Sequence, residues 1–454
     1  MSIPQRGGGP IERPEDLAGF MESGCKPREE WRIGAEHEKF GFRLADHKPL
    51  PYEGAISISA MLQGLCDSYG WRPIEENGAL IGLTKRGANV SLEPGGQLEL
   101  SGAPLQNIHQ TCEETNQHLA EVRDVAERIG AGFIGLGVSP DWRCDEIPVM
   151  PKGRYGIMRR YMQEVGSRGL DMMFRSCTIQ VNLDFESEAD MVKKLRVAVA
   201  LQPIATALFA SSPFFDGAPS GFSSTRSWIW RDVDNARTGM LPFVFEDGFG
   251  FERWADYALD VPMYFVYRNG QYLDASGQSF RHFLEGTLPA APGEIPTLSD
   301  WADHLTTIFP EARIKKFMEM RGADGGPWRR ICALPALWVG LLYDQTALDA
   351  AWDLVKGWTA EERETLRDQA GERGLAAKIR GQNLQSLSGE ILKIAEHGLT
   401  ARAQHGDFDT SEAHFLNDLK RVVESGETMA DEMLRLWRTE WDQDFSALYR
   451  HYAY

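Results

Sequence analysis

No stretch of this 454-residue chain is apolar for long enough to span a bilayer. The longest, residues 197–210, is interrupted by Gln202 and Pro203 and reads as a buried helix. The six cysteines (Cys25, Cys66, Cys112, Cys144, Cys177, Cys332) are scattered and form no CxxC, which excludes a disulfide scaffold or a zinc module. No GxxxxGK[ST] loop is present, and Gly132, Gly135 and Gly137 do not make a dinucleotide fingerprint. His37–Gly41, HEKFG, begins like a zinc-protease motif but lacks the second histidine. Basic residues are in deficit: 48 Lys and Arg against 66 Asp and Glu give a net charge of -18. That balance disfavours nucleic acid and anionic membranes as partners. An anionic substrate stays open, because bound metal ions invert a local field. The N-terminus, MSIPQRGGGPIERPEDL, lacks the basic-then-apolar layout of an export signal. A cytoplasmic enzyme is the expectation.

What the chain does have is an ordinary globular balance, 43% hydrophobic and 25% charged, which argues against wholesale disorder. Residues 1–14, with Gly7–Gly9, Pro4 and Pro10, read as a flexible lead-in. From 15 to 454 strands and helices interleave without a clean linker or repeat. The expectation is one large α+β domain, mostly helical from about residue 345. Helices are expected over 14–23, 56–69, 105–129, 154–165, 187–210 and 298–309, with Ser187 as an N-cap. Strands are expected over 31–44, 78–85, 88–93, 97–101 and 132–138. A hairpin turns at Asn269-Gly270. Thr359 and Glu362 have capping-box spacing, and 411–454 reads as an amphipathic helical pair.

Four stretches carry acidic or amide residues at alternate positions with apolar neighbours between them. They are GAEHEKFGF (Glu36, Glu38), SLEPGGQLELSG (Glu93, Gln97, Glu99), SCTIQVNLDF (Thr178, Gln180, Asn182) and KFMEMRGAD (Glu319, Arg321). Residues two apart on a strand share a face, about 7 Å apart. In the third stretch Ile179, Val181 and Leu183 oppose Thr178, Gln180, Asn182 and Asp184, and in the fourth Met318 and Met320 oppose Glu319 and Arg321. A sheet with one greasy face and one carboxylate-rich face can hold divalent cations, and through them a nucleotide triphosphate. Each stretch alone also reads as a solvated strand face. Phe40 and Phe42, on the face of Glu36 and Glu38, make plain solvent exposure a poor fit there. Pro94-Gly95-Gly96 is a turn that can bring Glu93 and Glu99 to one site, with Gln97 between. Gln180 and Asn182 can coordinate a metal or hydrogen-bond a substrate. Arg321 can meet a transferring phosphoryl group while Glu319 holds metal, or the two can be a surface ion pair. Arg226, Arg231 and Arg237, interleaved with Trp228 and Trp230, offer forks for carboxylates or phosphates. Arg159 and Arg160 read as surface ion pairs, and Cys112 and Cys332 as small core residues.

Together these stretches resemble glutamate–cysteine ligase of the plant and proteobacterial type, as do FASSPFFDG, STRSWIWRDVDNARTGMLPFVFE, DVPMYFVYR and the run from Phe317 to Asp344, FMEMRGADGGPWRRICALPALWVGLLYD. The resemblance runs in order from about residue 30 to 350. It implies a fold like the glutamine synthetase and guanido kinase catalytic domains: a curved, mainly antiparallel sheet with the active site on its concave face and helices outside. It implies that ATP phosphorylates the γ-carboxylate of L-glutamate and that the amine of L-cysteine displaces phosphate to give γ-glutamylcysteine, the precursor of glutathione. Carried over residue by residue, it makes Glu36, Glu38, Glu93, Glu99 and Glu319 ligands of more than one Mg2+, with Gln180 as a further ligand. Arg321 steadies the phosphoryl group, with Glu38 beside it. Arg226, Arg154, Trp230, Tyr264, Thr178 and Asn182 serve the amino-acid substrates. A redox-sensitive disulfide between Cys112 and Cys332 is also implied. A second pair, tied in plant members to dimer control, would fall near Ala275 and Ala290, where this chain has no cysteine. The departure leaves a monomer or weak homodimer as the expectation. The rival readings are a related glutamate–amine ligase with another acceptor, a phosphagen kinase on the same fold, and a non-catalytic nucleotide-binding scaffold.

Overall fold

The computed structural model describes residues 7–454. Its centre is an open antiparallel sheet of nine strands. These are β1 (Ile33–Arg43), β2 (Arg72–Glu76), β3 (Ala79–Lys85), β4 (Ala88–Leu92), β5 (Leu98–Ser101), β6 (Ala131–Ile134), β7 (Thr178–Leu183), β8 (Ala312–Ile314) and β9 (Met318–Asp324). The order is β8-β9-β7-β1-β5-β4-β3-β2, and β6 pairs with the outer half of β1. The inner half of β1 lies between β7 and β5, so the four acidic or amide-bearing stretches become neighbours. The class expected from the sequence, α+β with a mainly antiparallel sheet, is the one observed.

The alternation explains the two faces. Ile33, Ile179, Val181, Leu183, Met318 and Met320 point into the main apolar core. Glu36, Gln180, Asn182 and Glu319 occupy the opposite face. Along β1 that face runs on into Phe40 and Phe42, which are buried in a second apolar cluster.

Helices α1 (Glu15–Glu22), α2 (Ile58–Tyr69), α3 (Ile108–Ile129), α4 (Gly153–Val165), α5 (Gly169–Arg175), α6 (Glu188–Leu208) and α7 (Thr225–Ile229) fall in the first half. Then come α8 (Phe251–Asp260), α9 (Phe280–Leu284), α10 (Leu298–Leu305), α11 (Trp328–Leu342), α12 (Gln345–Val355), α13 (Ala360–Arg373), α14 (Leu384–Arg402), α15 (Asn417–Ser425), α16 (Met429–Thr439) and α17 (Phe445–Tyr452). α6 and α11 pack on the apolar face of β7 and β9, and α12–α14 pack behind them. α6 starts where Ser187 accepts a hydrogen bond from the Asp190 amide, and almost its whole C-terminal half is buried. Thr359 and Glu362 close the capping box that opens α13. No single helix among the described residues is long and apolar enough to cross a membrane.

Several boundaries differ from the sequence reading. The helix expected over 298–309 ends at Leu305, because Thr307, Phe309 and Glu311 turn to bond side chains and backbone around residues 237–239. The strand expected over 132–138 ends at Ile134. β2 was not expected at all; its Pro73 and two glutamates disguise an edge strand. The helical pair expected over 411–454 is three helices after a 3-10 turn. The lead-in expected to be flexible is docked from Gly9 onward: its carbonyl accepts from the Leu298 amide at 3.0 Å, and buried Ile11 donates to the Pro296 carbonyl at 2.9 Å. Residues 1–6 of that lead-in lie outside the described residues.

Candidate active site

Register places Glu38 directly opposite Glu99 and Glu36 directly opposite Gln180. Like charges facing each other across a strand pair repel. The closest partners of Glu36, Glu38 and Glu99 among the described residues are neutral donors, while Arg226 acts on Glu38 from further away. Ser91 Oγ donates to Glu99 at 2.8 Å, the Thr178 amide donates to Glu38 at 2.9 Å, and the Asn182 amide donates to Glu36 at 2.6 Å. Burial, followed by the charges of Glu99 and Glu93, pushes the Glu38 carboxyl well above its usual range. Burial, with the charges of Glu319 and Glu99, pushes Glu36 up as well. A cation placed beside Glu36 and Glu38 would favour their ionised forms.

Two strands away the balance reverses. Glu319 is only 1% exposed, yet three cations meet it. Arg313 donates to it at 2.6 Å, Lys315 approaches at 2.6 Å and Arg321 makes a still closer contact. Burial opposes its ionisation, but Arg313, Lys315 and Arg321 hold its carboxyl well below the usual range. Arg321 also donates to Gln180 Oε1 at 2.6 Å.

Between these halves lies a cavity of about 90 Å³ lined by Glu38, Glu93, Thr178, Arg226, Trp230, Arg321, Met158, Met172, Met173 and Phe309, among others. That is well short of the ~300 Å³ at the lower end for drug-sized ligands, and it suits part of an amino acid. Trp230 Nε1 and Arg226 Nε are buried without a hydrogen-bond partner among the described residues. Arg226 Nη2 donates to the Arg321 carbonyl at 3.0 Å. It is the one arginine of its run that lines this cavity. Buried Arg237 is spent on Asp234 and the Thr307 and Pro262 carbonyls, and Arg231 pairs with Asp368.

Other expected site residues lie elsewhere or are already engaged. Tyr264, 1% exposed, lies in the core under Arg237, with its hydroxyl on Met162 Sδ at 3.5 Å. Arg154 is buried with its guanidinium 4.9 Å from the Phe265 ring centre, and it does not line the cavity. The Thr178 hydroxyl donates to the Ala323 and Arg321 carbonyls, so only its amide serves the face. Gln97 ties the Pro94-Gly95 turn to the end of α5 through Met173 and Ser176. Arg160 forms the exposed ion pair with Asp274 expected of it. Cys112 on α3 and Cys332 on α11 face each other with Cα atoms 5.5 Å apart, inside the span of a disulfide.

Sequence reading missed Arg313 and Lys315. The signal was there, since Arg313 lies opposite Glu319 in the β8–β9 pair and Lys315 follows at alternate spacing. It also missed Asp324. Its buried carboxylate accepts from Ser212 Oγ at 2.6 Å, Ser224 Oγ at 2.7 Å and the Ser211 amide at 3.0 Å. Ser224 caps α7, so Asp324 fixes the short helix that carries Arg226.

A carboxylate cluster short of cations, beside arginines with free donors, suits a reaction that joins anionic substrates. Residues 32–451 match the model of glutamate-cysteine ligase family 2. The chain belongs to that family. It is a ligase that joins glutamate to cysteine. Glutamate–cysteine ligase B of Oryza sativa subsp. japonica, named as chloroplastic, is 54% identical over 97% of this chain and 87% of its own length. The chloroplastic ligase of Arabidopsis thaliana is 53% identical over 98% of this chain and 83% of its own. These names correct the cytoplasmic expectation: a missing export-signal layout does not identify a compartment when relatives this similar are chloroplastic. In fold, the chain is similar to a crystal structure of glutamate–cysteine ligase from Francisella tularensis in complex with AMP. The TM-score is 0.57 at 13% identity, covering 92% of this chain and 86% of that one.

Proposed function

We propose that the acidic face and its cavity carry out ATP-dependent ligation through γ-glutamyl phosphate. The observation that carries this reading is the meeting, in one cavity, of Glu38 and Glu93 with Arg226 and Arg321. A γ-carboxylate oxygen of L-glutamate attacks the γ-phosphorus of ATP, and ADP leaves. The amine of L-cysteine then attacks the acyl carbonyl, loses a proton and expels phosphate. The product is γ-glutamylcysteine, made in the first step towards glutathione.

Arg226 grips a glutamate carboxylate, with Trp230 Nε1 as a neighbouring donor. Arg321 faces the transferred phosphoryl group, where a well-placed cation counts most. Asn182 and the Thr178 amide hold Glu36 and Glu38 in place.

The donor set suits magnesium: buried Glu36 and Glu99 and half-buried Glu38 and Glu93 crowd one sheet face. Among the described residues no three of them form a closed cage. Magnesium commonly completes its shell with waters and phosphate oxygens. Glu36, Glu38, Glu93 and Glu99 would hold it, while Gln180 and Glu319 must first release Arg321. Bound magnesium would supply charge neutralisation for the ATP phosphates.

ADP release with ATP, magnesium and L-glutamate, with and without L-cysteine, and the product mass, tests this. Release that needs both amino acids and yields γ-glutamylcysteine is expected. Release independent of cysteine keeps the acyl phosphate and reopens the acceptor amine. No release from folded protein favours a nucleotide-binding scaffold. The approach of Cys112 to Cys332 supports a second reading, a redox bridge across α3 and α11. Mild reductant then changes activity and Cys112→Ser abolishes the response; equal activity of oxidised and reduced protein would remove it.

A further inference from the structure

The pairing of β9 with β7 slips between Met320 and Ala323, so Arg321 and Gly322 lie in a bulge. Bulges re-aim side chains beside active sites. The groups of this one are held from two sides. From the cavity side, the Arg321 carbonyl accepts from Arg226 Nη2 at 3.0 Å and Thr178 Oγ1 at 3.2 Å, and its amide donates to the Glu311 carbonyl at 3.1 Å. From the core side, one helix holds Gly322. Gln202 Oε1 accepts from its amide at 3.0 Å, and Thr206 Oγ1 donates to its carbonyl at 3.1 Å. The two side chains are four residues apart on α6 and so share one face.

The contact is tight, since a Cβ at position 322 would sit 2.2 Å from Gln202 Oε1. It is also costly. Gln202 interrupts the most apolar run of the chain, is buried, and leaves its Nε2 without a partner among the described residues. An orphaned buried donor is unfavourable unless something else requires the residue.

We infer that Gln202 and Thr206 are positioning residues that clamp the bulge at Gly322, fixing the guanidinium of Arg321 at the cavity and its carbonyl beneath Arg226. The inference rests on the proposed role of Arg321 in the ligation. Gln202→Met keeps length and removes the acceptor. It lowers kcat by roughly tenfold to a hundredfold, the scale of a misplaced catalytic group, while KM for cysteine holds. Thr206→Val shows the same split to a smaller degree, and Thr206→Ser restores it. In an Arg321→Ala background Gln202→Met adds much less than its full loss, because only the carbonyl contact to Arg226 is left to disturb. A full, additive loss there, or wild-type kcat in Gln202→Met, overturns the inference. If Gln202→Met does not fold, the Thr206 pair carries the same cycle. Should the wild-type protein make no γ-glutamylcysteine, the functional reading fails by itself, and a crystal structure of the variant still decides the clamp. Loss of the Arg321–Gln180 hydrogen bond supports it, and an unmoved Arg321 overturns it.

Discussion

The two ends of one sheet face treat a glutamate in opposite ways. On β1 and β5, Glu38 faces Glu99 with hydroxyl and amide donors and no direct ion pair among the described residues, and its carboxyl is pushed up. On β9, Glu319 is enclosed by Arg313, Lys315 and Arg321, and its carboxyl is pulled down. The first end stores repulsion that an added cation relieves. The second holds three cations around one anion and presents cationic edges to the cavity. A ligase that must bring an anionic nucleophile up to a polyanionic phosphate needs both, and one sheet face supplies them two strands apart without a glycine-rich cradle.

Breaking either end should cost activity most. Arg321→Ala, at the cationic end, lowers kcat by about a hundredfold to a thousandfold, the range for loss of a transition-state donor. Glu36→Ala, at the acidic end, also lowers kcat by orders of magnitude with the fold intact; near-normal turnover in steady-state assays removes either residue from the site. At the border, Arg226→Lys loses the planar fork, and KM for glutamate rises roughly tenfold or more with a smaller change in kcat. An unchanged KM would move the glutamate carboxylate elsewhere.

The smallest effect concerns three buried histidines away from the acidic face, His37, His118 and His304. Burial lowers His304 to about 4, and burial together with the charge of Lys39 holds His37 and His118 well below their usual value. A neutral ring is favoured in the fold, while the unfolded ring titrates near pH ~6.5. Their stability is therefore complete above that pH and is lost as pH falls towards 4. Thermal melts should decline over this window, and His304→Asn should flatten part of the decline.

Much of this face was legible in the sequence because strand alternation is local. Glu36 and Glu38, or Glu319 and Arg321, announce their shared face by spacing alone. What the spacing could not show was what lies opposite or behind. Thr178 looks like a site hydroxyl until the bulge in β9 claims it. Tyr264 looks like a pocket wall until Arg237 covers it. Gln202 reads as an interruption in an apolar helix until Gly322 meets it from 120 residues away. Asp324 belongs to a motif whose spacing gave no hint that it would fix the cap of α7.

The account stands most directly on metal-free thermal melts of Glu38→Gln and Glu319→Gln in excess chelator. Removing one charge from the crowded end relieves repulsion, so the Tm of Glu38→Gln should rise. Removing the anion from the other end leaves buried cations unmatched at a cost of about 3–5 kcal/mol, so the Tm of Glu319→Gln should fall by several degrees. Shifts of the same sign in both variants would contradict the division of charge on which the proposed chemistry rests.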